Sequence, residues 1–328
     1  MATSLKYPSR ASAGLFEIRF TSLTKPLNRS PSRHFTDFMN DTSIAFLGLG
    51  LMGSGMAGTL LEKGFPVSIY NRNPDKAKPL GERGATIAKT AAEAAAGAGV
   101  IVSMLADDKA SRALWLGPDG ALAAAGPGTV CIECSTVTVG WIKELAAAAE
   151  QRGCVFVDAP VTGSKTQAAT GELNFLVGGT ESALDQARPV LDAMGRTVTH
   201  LGPAGSGAMV KLINNFVCGV QLASIAEAVA MIERCDLDRE AALGVLTNGA
   251  PGSPLVKLLS ARMTAADYTP FFHLHLLAKD LSYAVQEAAA LSLDLKTAET
   301  ALGLFQKAVD DGYGDQDMSA IIETLRKN

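Results

Sequence analysis

Residues 46–53 read Phe46-Leu47-Gly48-Leu49-Gly50-Leu51-Met52-Gly53, and this stretch decides the fold of the chain. The apolar run Ile44–Leu47 predicts a strand buried on both faces, and Ser54–Lys63 predicts a helix. In such a turn the first glycine permits the sharp bend, the second lets the backbone approach a pyrophosphate, and the third lets helix and strand pack closely. The sequence therefore predicts a dinucleotide site made by Gly48, Leu49, Gly50, Leu51, Met52 and Gly53.

Strand and helix patterns alternate from Ser43 to about residue 204. Apolar runs typical of strands follow at Phe65–Tyr70, Val100–Leu105, Val130–Cys134 and Val155–Asp158. This alternation predicts an α/β fold with a Rossmann-type, doubly wound parallel sheet. From Ala208 to about Arg234 there is no proline and one glycine, which predicts a single long, buried helix. We predict an NAD(P)-binding Rossmann domain at 42–204 and an all-α domain at 205–328 for substrate binding and oligomerisation.

Composition and charge exclude several classes of protein. The 328 residues suit two domains, and a hydrophobic content of 48% is enough for two cores. A net charge of −4 argues against a nucleic-acid partner, which would need a basic surface. The apolar stretch Val217–Met231 is interrupted by Gln221 and Glu227 and is shorter than the roughly 20 residues of a membrane span. Neither nucleic acid nor membrane is therefore an expected partner.

Cysteines and histidines give no sign of a disulfide or a metal site. Five cysteines, an odd number in a chain of this size, indicate a reducing compartment. Cys131 and Cys134 lie on a predicted strand, where residues three apart point to opposite faces, so we expect no disulfide between them. His273 and His275 are two apart in a predicted helix, and we expect their side chains to diverge. No metal is predicted.

Residues 1–41 differ from the rest of the chain, being rich in arginine, lysine and serine and poor in acids. Three interpretations remain open. The segment is a transit peptide, a disordered extension, or a translation of sequence upstream of a true start at Met39. We expect a cytoplasmic protein, or a mitochondrial or plastid one if the segment is a transit peptide.

The end of the second predicted strand bears on the choice between NAD and NADP. An acid there would accept a hydrogen bond from the ribose 2′-hydroxyl and repel a 2′-phosphate. This strand instead ends Tyr70-Asn71-Arg72-Asn73. Arg72 can form paired hydrogen bonds with phosphate, and Asn71 and Asn73 can donate to it. We predict NADPH as the cofactor.

Several blocks, in the same order along about 44–325, resemble the β-hydroxyacid dehydrogenase family. This family includes 3-hydroxyisobutyrate dehydrogenase, tartronate semialdehyde reductase and the glyoxylate/succinic semialdehyde reductases. The blocks are the glycine turn, Met104-Leu105, Cys134-Ser135-Thr136, Asp158-Ala159-Pro160-Val161-Thr162-Gly163-Ser164, Gly205–Asn215 and Lys279-Asp280. The resemblance implies an oxidoreductase that transfers hydride between a nicotinamide and a small hydroxy acid or aldehyde acid.

Lys211 and Asn215 are four residues apart on the predicted long helix and share a face. A lysine in so apolar a helix is unusual unless its ammonium has a partner or a task. Carbonyl reduction needs a proton donor, and a partly desolvated lysine with a lowered pKa suits that role. The resemblance implies that Lys211 is this general acid and that Asn215 orients the lysine or the substrate.

The remaining site residues are implied by the resemblance, each beside a structural alternative. Ser135 and Thr136 would bind substrate, or one of them would cap a helix starting near Val139. Met104 and Leu105 would line the nicotinamide site, or pack in the core. Phe272 and Asp280 would bind substrate and Lys279 would lie near the cofactor. On a helix Phe272, Leu276, Asp280 and Tyr283 would share one face.

The loop at Gly163 and Ser164 departs from the pattern of many family members. Its backbone N–H groups could bind a substrate carboxylate. Where many relatives have Ser-Gly-Gly, this chain has Thr162-Gly163-Ser164-Lys165, which resembles the glyoxylate/succinic semialdehyde reductase branch. Lys165 either aids carboxylate recognition or is a solvated loop residue.

Together these features predict an NADPH-dependent reductase of glyoxylate and succinic semialdehyde. The alternative is an NAD(P)-dependent dehydrogenase of 3-hydroxyisobutyrate or 2-hydroxy-3-oxopropionate type. Retention of Lys211 argues against an imine reductase and against a non-catalytic binding module, and a sugar-phosphate dehydrogenase would need a longer chain. Because the long apolar helix needs more cover than one small domain offers, we expect a homodimer or homotetramer.

Overall fold

A computed structural model of the protein describes residues 42–327. The predictions made for residues 1–41 lie outside this range. Nine strands form one mixed sheet in the described part of the chain. They are β1 Ile44–Leu47, β2 Val67–Tyr70, β3 Thr86–Ile87, β4 Val100–Ser103, β5 Val130–Glu133, β6 Val155–Asp158, β7 Val161–Thr162, β8 Leu173–Gly178 and β9 Gly195–Gly202.

The strands follow the order β3-β2-β1-β4-β5-β6-β8-β7, and β9 pairs with β8. Strands β1 to β6 are parallel, in the order expected of a Rossmann sheet. The prediction of a parallel sheet is wrong at one edge, because β8 runs antiparallel to both β6 and β7. The sequence pattern did not reveal β3, β7, β8 or β9.

Helices cover both faces of the sheet and bury two apolar layers. One layer includes Phe46, Ile132 and Phe175, and the other includes Leu47, Trp115 and Trp141. The helices are α1 Gly53–Glu62, α2 Lys78–Gly81, α3 Ala91–Ala95, α4 Asp108–Leu116, α5 Ala121–Ala124, α6 Val139–Gln151, α7 Lys165–Thr170 and α8 Glu181–Met194, with a 3₁₀ turn at Pro74–Ala77.

The second half of the chain is helical and has a core of its own. Its helices are α9 Ser206–Arg234, α10 Arg239–Asn248, α11 Pro254–Ala265, α12 Leu274–Ala290, α13 Lys296–Ala308 and α14 Ile321–Arg326. A π-helical turn at Val309–Tyr313 and a 3₁₀ turn at Met318–Ala320 complete it. The predicted long helix is therefore present as α9.

Helix α9 is long and apolar enough to cross a membrane by length and composition. It also packs against α11, α12, α13 and α14, and Leu222, Ala226 and Val229 on it are buried in the helical core. These contacts are typical of the central helix of a helical domain. The four helices that surround α9 leave part of its surface exposed, including Ile213, Val217 and Met231.

A buried carboxylate joins the sheet to α9. Asp158, the last residue of β6, is fully buried and accepts hydrogen bonds from the backbone N–H groups of Gly205 and Ala208, each at 2.8 Å. Burial raises the pKa of Asp158, and the backbone hydrogen bonds oppose that shift. The start of the long helix is thereby held at the carboxyl edge of the sheet, where ligands bind in such folds.

All five cysteines are unpaired. Cys131 and Cys134 are both buried, and burial raises the pKa of the Cys134 thiol.

Candidate active site

A cleft of about 1080 Å³ lies between the carboxyl edge of the sheet and the helical half of the chain. The residues directly after β1, β2 and β4 line it, because parallel strands end at a common edge. Most of the predicted site residues meet in this cleft: Gly48, Leu49, Gly50, Leu51, Met52, Gly53, Asn71, Arg72, Asn73, Met104, Leu105, Thr136, Phe272, Lys279 and Asp280.

The glycine turn has the shape that a dinucleotide requires. Gly48 has φ +97°, and a Cβ there would lie 2.4 Å from the Met104 carbonyl oxygen. A Cβ on Gly53 would lie 2.0 Å from the Gly48 carbonyl oxygen. At Gly50, by contrast, no atom of residues 42–327 other than those of Gly50 and its two neighbours lies within 4 Å of an added Cβ. Space for a ligand therefore remains where the backbone should approach a pyrophosphate.

The start of α1 also suits an anion. No side chain within residues 42–327 caps this helix, and its first turn holds no acid. The positive end of the helix dipole faces the cleft at Gly53 and Ser54. The turn and the helix therefore fit the pyrophosphate of a nicotinamide dinucleotide.

The end of β2 differs in detail from the prediction. Asn71 accepts a hydrogen bond from the Leu49 N–H at 2.9 Å and donates to the Asn73 carbonyl at 2.8 Å. Asn73 caps the next turn by accepting from the Asp75 N–H at 3.0 Å. The two asparagines thus hold the loop in place, although we expected them to donate to phosphate. Arg72 between them is exposed and lines the cleft.

At the other end of the cleft, polar side chains from α9 and α12 form one group, here called the lysine cluster: Lys211, Asn215, Lys279 and Asp280. The Asn215 amide donates to Asp280 Oδ2 at 2.6 Å, and Lys279 Nζ lies 2.8 Å from Asp280 Oδ1. Lys279 also donates to the Thr136 carbonyl at 2.5 Å. Lys279 and Asp280 line the cleft, whereas Asn215 is connected to it by its hydrogen bond to Asp280.

Lys211 has the electrostatic setting of a proton donor. Burial lowers the pKa of Lys211, the nearby Asp280 carboxylate and Cys218 oppose this shift, and the Lys279 ammonium adds to it. The side chain is half-buried, and the residue does not itself line the cleft. Since Lys211 interacts with both Asp280 and Lys279, it belongs to the lysine cluster beside the cleft.

Ser135 lies outside the cleft. It is fully buried, its hydroxyl accepts from the Leu105 N–H at 2.7 Å, and its own N–H donates to the buried Glu133 carboxylate at 2.8 Å. It fixes the backbone of Leu105, which does line the cleft. Ser135 does not cap the following helix either, because Thr138 is the N-cap residue of α6.

The loop at Gly163 and Ser164 is not part of the cleft either. Gly163 has φ +125°, and Ser164 caps α7, with its N–H bound to the Gln167 side chain at 2.9 Å. The predicted carboxylate site therefore has one of its donors already occupied. Lys165 donates to the Pro270 carbonyl at 3.3 Å and lies 4.8 Å from the centre of the Phe271 ring. Lys165 therefore connects the two halves of the chain, which neither interpretation from the sequence had predicted.

Phe272 lines the cleft, but not from the helix on which we expected it. Helix α12 begins at Leu274, because the backbone N–H groups of Leu274 and His275 bond to the turn at residues 314–316. The prediction that His273 and His275 diverge is also wrong. Their rings stack with centroids 5.4 Å apart, and both residues line the cleft.

Some residues that line the cleft were not predicted from the sequence. Lys76 and Lys89 lie at the mouth beside Arg72, and Asp119 lines the same end. Lys89 follows β3, whose two residues are too few to show a strand pattern. A search for basic residues after each strand of the sheet would have found Lys89 only if that strand had been recognised.

Sequence comparisons agree with this geometry. A profile for the NAD-binding domain of 6-phosphogluconate dehydrogenase matches residues 43–202. A profile for the NAD-binding domain of NADP-dependent 3-hydroxyisobutyrate dehydrogenase matches residues 205–325. The chain belongs to the 3-hydroxyisobutyrate dehydrogenase-like family of β-hydroxyacid dehydrogenases. It is therefore an NAD(P)-dependent oxidoreductase that acts on CH–OH groups.

Individual members of this family are similar over most of their length. The NAD-dependent L-serine dehydrogenase of Pseudomonas aeruginosa is 35% identical over 85% of this chain and 96% of its own. The chloroplastic glyoxylate/succinic semialdehyde reductase 2 of Arabidopsis thaliana is 33% identical over 88% of this chain and 81% of its own. The Mycobacterium tuberculosis 3-hydroxyisobutyrate dehydrogenase solved with L-serine superimposes with a TM-score of 0.79, at 35% identity over 87% of this chain and 99% of its own.

The glycine turn yields a prediction that separates folding from cofactor binding. Gly50→Ala adds a methyl group that meets no protein atom, so the variant should fold normally. The same methyl group occupies the path of the pyrophosphate, and we expect the Kd for the cofactor to rise at least about tenfold. Fluorescence titration with NADPH measures the Kd, and circular dichroism checks the fold.

Gly53→Ala is the matched comparison, because its methyl group would clash with the Gly48 carbonyl and distort the turn. We expect it to lower the midpoint of thermal unfolding, whereas Gly50→Ala leaves that midpoint unchanged. Unimpaired cofactor binding by Gly50→Ala would contradict the assignment of the turn.

Proposed function

We propose that the protein is an NADPH-dependent reductase of small carboxylated aldehydes, with glyoxylate and succinic semialdehyde as substrates and hydroxy acids as products. The observation that carries this proposal is the lysine cluster at one end of a dinucleotide cleft. A carbonyl oxygen takes up a proton when it becomes an alcohol. A lysine whose pKa is lowered by burial can supply that proton near neutral pH.

The preference for NADPH rests on the basic mouth of the cleft. β2 ends without an acid, and the exposed Arg72 directly after it can bind a ribose 2′-phosphate. Lys76 and Lys89 line the same mouth. Three cations in the lining of one cleft favour the phosphate of NADPH over the hydroxyl of NADH. Asn71 and Asn73 support this arrangement by holding the loop that presents Arg72.

The bound nicotinamide supplies the hydride, and residues of the chain supply the proton and bind the substrate. Lys211 holds a proton at Nζ and gives it to the carbonyl oxygen of the substrate. Asp280 stabilises the protonated lysine, and the hydrogen bond from Asn215 holds the carboxylate in place. Thr136 and Phe272 line the same end of the cleft, where the hydroxyl can bind substrate and the ring can exclude water.

The choice of aldehyde acids rests on Gly163-Ser164-Lys165, which resembles the reductase branch, and on the similarity to the Arabidopsis reductase. A second candidate is oxidation of 3-hydroxyisobutyrate or a related 3-hydroxy acid. It is supported by the similarity to the L-serine dehydrogenase of Pseudomonas and the 3-hydroxyisobutyrate dehydrogenase of Mycobacterium. In that direction a neutral Lys211 would accept the proton from the alcohol.

Initial rates with a panel of substrates separate the two candidates. NADPH oxidation is measured with glyoxylate and succinic semialdehyde, and NAD(P)⁺ reduction with 3-hydroxyisobutyrate and L-serine. The proposal expects kcat/KM to be at least about tenfold higher for an aldehyde acid, a difference of about 1.4 kcal/mol in transition-state binding. A higher kcat/KM for either 3-hydroxy acid would contradict the proposal and support the second candidate.

Lys211→Ala tests the proton donor. General acid catalysis contributes about 10²- to 10⁴-fold, so we expect kcat to fall by that range. The Kd for NADPH should stay within about twofold, since the lysine cluster lies away from the glycine turn. Lys257→Ala, on the exposed side of α11, is the control and should keep full activity. Near-normal turnover by Lys211→Ala would refute the role.

Arg72→Ala tests the cofactor preference. Removing the guanidinium deletes a charged partner of the 2′-phosphate, so KM for NADPH should rise about tenfold or more. KM for NADH should change little, because NADH lacks that phosphate. Arg196→Ala removes an exposed arginine on β9 and serves as control. Equal losses with both cofactors would contradict recognition of the 2′-phosphate by Arg72.

We also propose that a second copy of the chain covers the exposed side of α9. Ile213, Val217 and Met231 on this helix are about half exposed or more. Beside them, Phe216, Val220 and Leu246 line an apolar groove of about 430 Å³. An apolar surface of this kind is typical of an interface between subunits.

Val217→Asp should weaken such an interface by placing a charge on the exposed apolar surface of α9, with little effect on the monomer fold. Light scattering coupled to size exclusion should show a dimer or tetramer for the unmodified protein and smaller species for the variant. A monomer for the unmodified protein at micromolar concentration would contradict the expectation.

A further inference from the structure

His273 and His275, here called the histidine pair, are exposed in part and lie on the helical wall of the cofactor cleft. His273 is the N-cap residue of α12, and His275 lies in its first turn. Their rings stack, with centroids 5.4 Å apart and an interplanar angle of 25°. None of the roles assigned above uses them.

Both rings are anchored through the same nitrogen. His273 Nδ1 lies 2.8 Å from the Asp315 carbonyl oxygen, and His275 Nδ1 lies 2.8 Å from the Gly314 carbonyl oxygen. A carbonyl can only accept, so each Nδ1 carries a proton. The Asp315 carboxylate, 3.5 Å from His275 Nδ1, favours the same proton position. The tautomer of both rings is therefore fixed by their surroundings.

The other nitrogen of each ring is left for a ligand. Neither Nε2 atom has a hydrogen-bond partner among residues 42–327. In a neutral ring with a proton on Nδ1, Nε2 is an acceptor, and it becomes a donor only in the imidazolium form. An anion in the cleft could therefore bind the pair only if the rings took up protons.

Contacts in the structure bring the histidine pair towards the start of α1. Helix α7 packs on α1, where an added Cβ on Gly55 would lie 2.9 Å from the Ala169 nitrogen. Lys165, the first residue of α7, contacts Pro270 and Phe271. Residues 271–273 and 275 therefore line the same cleft as the glycine turn, which fits the pyrophosphate of the cofactor, but do so from the helical half of the chain.

We propose that the histidine pair is the second half of the cofactor phosphate site. Its two Nε2–H groups bind pyrophosphate oxygens from the side opposite the glycine turn, with uptake of up to one proton by each ring. The helical half of the chain thereby takes part in holding the dinucleotide. The proposal rests on dinucleotide binding, which the family establishes, and is independent of the choice of substrate.

The charges around the pair are mixed. On the adjoining turn lie Asp310, Asp311 and Asp315, and Lys279 follows one helical turn after His275. Asp311 is paired with Lys307, and the buried Asp317 beneath the segment is paired with Arg262.

Charged side chains of both signs also line the rest of the cleft, among them the acids Asp119 and Asp280. Lys165 and Arg262 flank Phe271. Arg72, Lys76 and Lys89 line the mouth of the same cleft. Next to these cations, and with the two rings stacked on each other, positive charge on both rings is unfavourable unless a bound phosphate compensates it. Proton uptake should therefore accompany cofactor binding.

Calorimetric titration of the full chain with NADH, in buffers of different ionisation enthalpy, measures proton uptake directly. NADH is the first probe because it lacks the 2′-phosphate, which titrates near neutral pH. We expect proton uptake at about pH 7, and a Kd that rises with pH by up to about tenfold per pH unit for each proton. Absence of proton uptake by the unmodified protein would overturn the proposal, whatever the variants do.

Variants then assign the uptake to the pair. In His273→Asn with His275→Asn, the amide nitrogen can take the place of Nδ1 and keep the bonds to residues 314 and 315, while Nε2 is lost. This double variant should bind NADH at least about tenfold more weakly at pH 6 than the unmodified protein and take up no protons. His200→Asn, on β9, is the control and should behave like the unmodified protein.

The single variants His273→Asn and His275→Asn keep the test open if the double variant fails to fold. Each should lose part of the proton uptake. Full uptake in either folded single variant, or any uptake that persists in a folded double variant, would overturn the assignment. Uptake with NADPH but not with NADH would place the contact at the 2′-phosphate and overturn the pyrophosphate assignment.

Discussion

Lys211 on α9 and Asp280 on α12 interact through their charges beside the cleft, and the proposed chemistry depends on this pair. Burial alone would drive the lysine towards its neutral form, and the carboxylate opposes that effect. Asp280 is itself buried and relies on the Asn215 amide and the Lys279 ammonium. Removing either partner would leave one oxygen of the buried carboxylate without its partner, which is costly.

Helix α12 carries half of this arrangement and fixes it against the sheet. Along its length Lys279 bonds to the Thr136 carbonyl, the Tyr283 hydroxyl accepts from the Asp108 N–H at 3.3 Å, and Glu287 accepts from the Val139 N–H at 2.8 Å. At its start, the histidine pair is tied to the turn at residues 314–315. One helix thus places groups at both ends of the cleft, and the cofactor and the proton donor are positioned by the same rigid element.

Much of the fold could be predicted from the sequence, because the decisive signals are local. The glycine turn lies between a strand and a helix within twenty residues, and α9 shows its length through the absence of proline. The prediction that Lys211 and Asn215 share one face of α9 needed only the period of a helix. β3 and β7 were missed because two residues cannot show a pattern.

Details of the site that depend on distant contacts could not be predicted. Ser135 is buried because Glu133 and Leu105 bind it, and Asn71 holds the glycine turn across 22 positions of sequence. The stacking of His273 and His275 follows from the start of α12 at Leu274, which is set by the turn 40 residues later. No periodicity in the sequence reports such contacts, since they join segments that only the folded chain brings together.

The pH dependence of kcat/KM for aldehyde reduction, measured for the unmodified protein and for Asp280→Asn, tests the central claim most directly. Reduction needs a protonated Lys211, so the rate should fall as pH rises through the pKa of that lysine. Asp280 raises the pKa of Lys211, so its loss should move this alkaline limb to lower pH. The control Asp185→Asn, at an exposed position on α8, should not move it. An alkaline limb at the same pH in Asp280→Asn would contradict the account of Lys211 as the proton donor.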